Sequence, residues 1–274
     1  MARSVRGSLS RRTRRREQAR GNGPPRAHPR QGHVSARTWP KAAGLVSLFL
    51  LAGCTSFDPR VLPKDEPYLV AVKSCLLPAD LPWPVCLAEH SWFDIKLGSE
   101  AKWWRAEVIG HGAFSTKRVL SVEPLAAKEA RTRYRFGERP VRLLSVLAGK
   151  TAQRAGAEIL RRARDYEDAE RYCAWPGPNS NTFVARLGAG IEGLCFQLPH
   201  NAIGKDYAPW LRVGPTPSGT GVRFDTPLLG FALGLEEGLE VHVLGLSFGV
   251  DFFPPALEVP FLPRIGCRAT TFFP

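Results

Sequence analysis

A chain of 274 residues is long enough for one large domain or two small ones, and a net charge of +13 would point to an anionic partner if it were evenly spread. It is not: residues 1–40 hold eleven Arg against the single acid Glu17, a charge of +10, which leaves only +3 for the rest. The body of the chain has no basic stripe with interleaved aromatics, so nucleic acid is excluded as a partner.

Residues 1–37 are Arg-, Pro- and Gly-rich with almost no apolar side chains. They cannot bury a core, and read as a disordered basic extension or as sequence upstream of the true start. Arg37 and Lys41 then precede the apolar run Ala42–Ala52, which leads into Leu51-Ala52-Gly53-Cys54. A basic flank, a short apolar core and small residues at its end make a secretory signal over 38–53, too short for a membrane-spanning helix. The ending resembles the bacterial lipobox, which implies that Cys54 is acylated and becomes the mature N-terminus; a plain signal peptide or anchor is the alternative. Thr55 follows where an Asp would imply inner-membrane retention, so the expected location is the periplasmic face of the outer membrane. Residues 54–67 read as an extended tether.

With Cys54 lipidated, Cys75, Cys86, Cys173, Cys195 and Cys267 remain, an odd number in an oxidising compartment. Cys75 and Cys86 could close a short loop, and Cys173 and Cys195 bracket the central motif. No Cys or His cluster has zinc-ligand spacing, so neither a structural metal nor a cofactor is expected.

A domain is expected over 68–260. Tyr68–Leu77 is apolar and β-branched, a first strand. Leu87–Leu97 is a second: Phe93, Ile95 and Leu97 alternate with Asp94 and Lys96 as on a half-buried strand, while His90 falls on the opposite phase from those three. Trp103–Gly110 pairs with it as a hairpin, and Arg131–Phe136 and Val141–Ala148 are further strand candidates. Thr151–Tyr172 has the clearest helical period, with Ala152, Ala155, Ile159 and Ala163 inside, i,i+4 ion pairs such as Glu158/Arg162 outside, and Thr151 as its cap. The Gly-Lys-Thr at 149–151 lacks the first Gly of a phosphate-binding loop.

Trp175-Pro-Gly-Pro-Asn-Ser-Asn-Thr-Phe183 ends that helix and starts another. Pro-Gly-Pro breaks the first, and Asn179, Ser180 and Asn181 are placed to cap the second, with Phe183, Val184, Leu187 and Ile191 buried. Leu194–Leu198 reads as a short strand. Beyond it Phe231, Leu233 and Leu235 alternate, then Leu239, Val241 and Val243. The phase slips at 243–245 as at a bulge, and Leu246, Phe248 and Val250 continue. Glycines on the other phase imply a curved sheet or close backbone approach. Residues 261–274 read as a tail. The fold class is α+β, an antiparallel sheet with two central helices and Gly-rich hairpins toward the C-terminus.

Ser180 at a helix start is either a cap or a nucleophile. Acyl transfer needs a nucleophile, a base and a group that orients the base, which makes Ser180, His90 and Glu107 the candidate catalytic set. Asn179, Asn181 and Trp175 are the candidate substrate-binding residues beside it. Equally, Ser180 is an ordinary cap, Glu107 a surface charge and His90 a structural histidine.

The ordered elements His90-Ser-Trp-Phe, Arg105–Gly110, Trp175–Phe183, Ala202-Ile-Gly-Lys-Asp-Tyr207 and Pro217-Ser-Gly-Thr-Gly221 resemble the bacterial family DUF3750, whose activity is unassigned. More distantly, the order His90, Glu107, Asn179-Ser-Asn-Thr-Phe183 is similar to that of circularly permuted papain-like proteins of the NlpC/P60 and lecithin:retinol acyltransferase group. That likeness implies a nucleophile at the helix start, but Ser180 stands where those proteins carry Cys. Two functions are therefore expected as alternatives. One is an envelope hydrolase or acyltransferase on an amide or ester. The other is a non-catalytic lipoprotein that binds peptidoglycan or an envelope protein through the same cleft or the Gly-rich sheet.

Overall fold

Alternating apolar residues build the first layer of the protein. Strands β1 (Tyr68–Leu76) and β2 (Glu89–Leu97) pair antiparallel, with Cys75 opposite His90 and Val72 opposite Phe93. The computed structural model describes residues 58–98, 102–263 and 265–266. Next come β3 (Trp103–Val108), the two-residue β4 (Phe114–Ser115) and β5 (Leu120–Leu125). A single turn, α1 (Ala127–Ala130), leads to the short hairpin β6 (Tyr134–Arg135) and β7 (Arg139–Pro140), and then to β8 (Arg142–Ala148). The main sheet has the order β5-β3-β2-β1-β8.

Both faces of this sheet are covered. Val70, Val72, Phe93, Ile95, Ala106 and Val108 point to one side, under α2 (Gly149–Arg164) and α3 (Ser180–Gly188). The opposite phase of the same strands packs on Leu62, Ala130, Val141 and Phe136. Strand β2 is therefore buried on both sides, where alternation alone predicted a half-buried strand. Asp94, on the second face, is kept ionised by Lys73 at 2.7 Å and Arg105 at 2.8 Å. The expected tether also proves to be part of the domain from Asp58 onward: Pro59–Val61 is a turn of 3-10 helix, Leu62 is buried, and Lys96 donates to the carbonyls of Lys64 and Glu66.

Helix α2 is shorter than its sequence period, and Thr151 does not cap it; Ala148 holds the cap position and makes no side-chain bond. The carboxylate of Glu66 accepts from Gly149 N at 3.2 Å instead, a distant acid satisfying a donor at the positive end of the helix. A two-residue strand, β9 (Tyr172–Cys173), pairs with β4 before α3 begins. Leu194–Leu198 forms no strand: Leu194 is buried and Phe196 meets Phe93 edge-on, so these residues close the core as irregular chain.

The remainder forms a seven-stranded antiparallel meander: β10 (Arg212–Pro215), β11 (Val222–Asp225), β12 (Leu229–Gly234), β13 (Gly238–Val243), β14 (Leu246–Phe252), β15 (Pro255–Glu258) and β16 (Ile265–Gly266). The phase slip at 243–245 is a hairpin turn rather than a bulge. Leu244 and Gly245 both have positive φ, the geometry of a two-residue turn that matches strand twist, and Val243 pairs with Leu246. The sheet continues past residue 260 through β16, so part of the expected tail joins it. Cys54, the signal 38–53, the extension 1–37 and residues 267–274 lie outside the described residues.

Candidate functional site

The Trp175–Phe183 motif is a clamp built from side-chain amides. Trp175–Pro176 and Gly177–Pro178 are cis, and α3 starts at Ser180 with Asn179 as its cap. Asn179 Oδ1 accepts from the N–H groups of Asn181 at 3.0 Å and Thr182 at 3.2 Å, while Thr182 Oγ1 accepts from Asn179 N in return. Asn179 Nδ2 donates to the carbonyls of Ala174 and Ile203, and Asn181 Nδ2 to those of Glu89 and Ile203. Thr182 Oγ1 donates to Gly204 O at 2.7 Å. Three chain segments are thus tied to one helix start. Gly204 has φ +82°, and a Cβ there would stand 2.6 Å from Asn179 Nδ2, so only glycine admits this approach. Asn179 and Asn181 are both buried, which leaves half-exposed Trp175 as the one expected substrate-binding residue open to solvent.

His90 and Glu107 come together as expected. His90 Nε2 lies 2.9 Å from Glu107 Oε2, and Arg135 Nη2 donates to Glu107 Oε1 at 2.8 Å. The imidazole stacks on Trp92 and meets the edge of Phe136. Burial lowers its pKa, with Glu107 opposing, so the ring is neutral and its Nε2–H donates to the carboxylate. Burial acts to raise the pKa of Glu107, but His90 and Arg135 outweigh it and hold the carboxylate ionised.

Ser180 does not join them. Glu107, Trp92 and His90 share the face of the main sheet turned away from the helices, whereas α3 lies on the face of Phe93, its Phe183 ring 6.2 Å from that of Phe93. The sheet itself separates the hydroxyl from the imidazole. Among the described residues no hydrogen bond joins Ser180 Oγ to any His, Asp or Glu, and Ser180 is buried. The thiol beside His90 is that of Cys75, its cross-strand partner, a neighbour that the β1–β2 register would have revealed. Cys75 is fully buried and burial pushes its pKa up to about 12, so it is a protonated, sealed thiol. Cys75, Cys86, Cys173 and Cys195 are all free, so Cys75 and Cys86 do not close the loop that they could have closed.

A second polar cluster was not anticipated, because its members are scattered over a loop and several strands. Asp206 Oδ2 meets His242 Nδ1 at 2.9 Å and Lys205 Nζ at 2.8 Å, and Arg223 bridges Asp206 and Asp225. Lys205 also holds Glu240 at 2.7 Å, and Arg212 holds Asp225. Ligand atoms of Asp206, Asp225 and His242 lie within 4.8 Å of one another, a spacing a metal could use. Yet both carboxylates of that set already face cations, Asp206 facing Lys205 and Arg223, and Asp225 facing Arg212 and Arg223, so a divalent cation would add uncompensated positive charge. The cluster fits a structural role, pinning the inner face of the seven-stranded sheet to the 204–207 loop.

Together these features define an α+β protein with a doubly covered antiparallel sheet, an amide-clamped helix start and an appended meander. Residues 73–207 match the family described as protein of unknown function (DUF3750), and the chain belongs to that family. The match begins within β1, takes in the other four strands of the main sheet and both longer helices, and ends before β10. No curated protein and no solved structure matches the chain.

Proposed function

We propose that this protein is a lipid-anchored component of the bacterial cell envelope that acts by binding rather than by catalysis. The observation that carries this reading is the outward face of the seven-stranded sheet, where the alternation is inverted. Its strands bury Gly230, Ala232, His242 and Ser247 and expose Phe231, Leu233, Val241 and Phe248. Large contiguous apolar surfaces of this kind mark interaction sites. Peptidoglycan is a poor match, because an aliphatic and aromatic face offers no groups for sugar hydroxyls or stem-peptide charges. An apolar protein surface suits it.

The placement of Ser180 supports the same reading. A serine hydroxyl is a weak nucleophile unless a base lies within hydrogen-bond reach, and His90 is beyond the sheet. The likeness to permuted papain-like proteins is therefore one of residue order, consistent with a scaffold that has no working nucleophile. The anchor rests on the Leu51-Ala-Gly-Cys54 ending, outside the described residues.

Treatment of the full chain with a fluorophosphonate probe tests the reading. No label is expected at Ser180. Label that disappears in Ser180→Ala, while the variant keeps its thermal unfolding midpoint, would overturn it in favour of a serine hydrolase.

A further inference from the structure

The strand register orders the exposed face into rows that cross the sheet. One row runs Val213–Phe224–Phe231–Val241–Phe248, and a second runs Val222–Leu233–Leu239–Val250–Leu257–Ile265. A third, Leu229–Val243–Leu246, flanks them. None of these positions is charged or carries a hydrogen-bonding side chain. The acids and bases of the same strands, Arg212, Arg223, Asp225, Glu240, His242, Asp251 and Glu258, fall on the other phase.

Seven strands spaced by ~4.8 Å and averaging about five residues give a face of roughly 34 by 16 Å, about 550 Å² in plan and more with side-chain relief. The largest contiguous apolar patch of a typical monomer is about 300–600 Å² and is often functional, and this face already lies at the upper end of that range in plan. A stable interface buries about 800 Å² from each partner, and obligate homodimer interfaces resemble a domain core cut in half. Rows of Val, Leu and Phe without Trp, Tyr or Arg have the composition of a sandwich core rather than of a transient docking patch.

Hydrocarbon is the other apolar environment available to an anchored protein, and two features of the sheet argue against it. The longest strand, β14, has seven residues, short of the nine to eleven that a membrane-crossing strand needs. Among the described residues β10 and β16 are open edges, and their unpaired N–H and C=O groups have no partners in a lipid interior.

We propose that the outward face of β10–β16 is the interface of a symmetric homodimer, two copies packing sheet on sheet into a β-sandwich. This rests on the reading of that face as the binding surface and names its occupant. A two-fold axis lying in the interface plane, parallel to the two sheets, turns the same face of each copy toward the other, so apolar ridges meet apolar ridges without a second complementary surface. Sheets packed this way interdigitate their side chains at a spacing of ~10 Å.

The test uses the full chain in living cells with Phe248 replaced by the photo-crosslinker benzoylphenylalanine. Irradiation is expected to give an adduct of twice the chain mass, and Phe231 replaced in the same way gives the same product. The crosslinker at exposed Arg161 on α2 gives none. Adding Val241→Glu, at a position that already meets solvent in the monomer, is expected to reduce the adduct at least tenfold without changing far-ultraviolet circular dichroism. An adduct with a different protein overturns the homodimer and leaves the binding reading standing. A phospholipid adduct, or none, overturns both.

Discussion

His90 and Ser180 stand on opposite sides of the same five-stranded sheet. His90 projects with Trp92 and Glu107 beneath the β6–β7 hairpin, and Ser180 begins the helix that covers Phe93. The separation follows from strand alternation: residues 90 and 93 differ by an odd number of positions, so their side chains leave opposite faces. The helix packed on Phe93 reaches β2 near His90 through Asn181, which bonds the carbonyl of Glu89, while the imidazole leaves by the other face. The role of the motif is therefore carried by its amides, which tie β2 and the 203–204 loop to α3.

Ser180→Ala is expected to change unfolding free energy by less than ~1 kcal/mol, because no hydrogen bond to a His or acid is lost. Asn181→Ala leaves the buried carbonyls of Glu89 and Ile203 without that donor and is expected to cost about 2–3 kcal/mol. Urea denaturation of the three proteins measures the contrast. Equal losses for both variants would contradict the amide-clamp account.

Much of this was legible in the residues. The strands from Tyr68, Glu89 and Trp103 follow their alternation, and the opposite phase of His90 was visible before any fold was known. What the sequence withheld was which side of the sheet the helices would cover. Phe93 and Ile95 on one phase and Trp92 on the other are both apolar, so either could have been the helix side. Local signals also failed where distant residues took over: Glu66 serves the start of α2 in place of Thr151, and Leu194–Leu198 packs as core without a strand partner. In the C-terminal half the alternation itself was clear. Alternation does not say which phase is buried, and here the inner neighbours of Phe231 and Val241 are glycine, alanine and a charged network.

The His90–Glu107 pair makes stability depend on pH with a definite sign. Burial lowers the pKa of His90, so the folded protein binds fewer protons there than the unfolded chain, and folding is opposed as pH falls from about 6.5. Glu107, also lowered, adds a loss that begins near its ordinary value of 4.5. His90→Gln keeps an N–H donor but cannot titrate. The difference in unfolding free energy between the two proteins is expected to shrink as pH drops from 7 to 5. A constant difference across that range would mean that folding leaves the pKa of His90 unchanged, and a growing one that folding raises it.

Acylation at Cys54 predicts that an alkyne-bearing fatty acid fed to cells labels the full chain, and that Cys54→Ala removes the label. One acyl chain gives marginal membrane attachment and two or more give stable anchoring, so the variant is also expected to shift from the membrane to the soluble fraction or to remain as an unprocessed precursor. Label retained by Cys54→Ala would place the lipid elsewhere.

The four described thiols should differ sharply in reactivity although all are free. Alkylation requires the thiolate and a path to it. Cys195 is exposed, whereas Cys75 is sealed between Trp92 and Val141 with its pKa at about 12. At pH 8 iodoacetamide is expected to modify Cys195 within minutes, and Cys86 and Cys173, half-buried, more slowly. Cys173 is further restrained by its contact with Trp175 O at 2.9 Å. Cys75 stays unmodified until the main sheet unfolds, so its labelling rate reports global unfolding, and denaturation without reductant adds it to the other three. Mass spectrometry of peptides from the native and denatured samples reads all four sites at once. Fast native labelling of Cys75 would show that the His90 face opens, and a Cys173–Cys195 disulfide would show that the chain between them folds differently from the amide clamp described above.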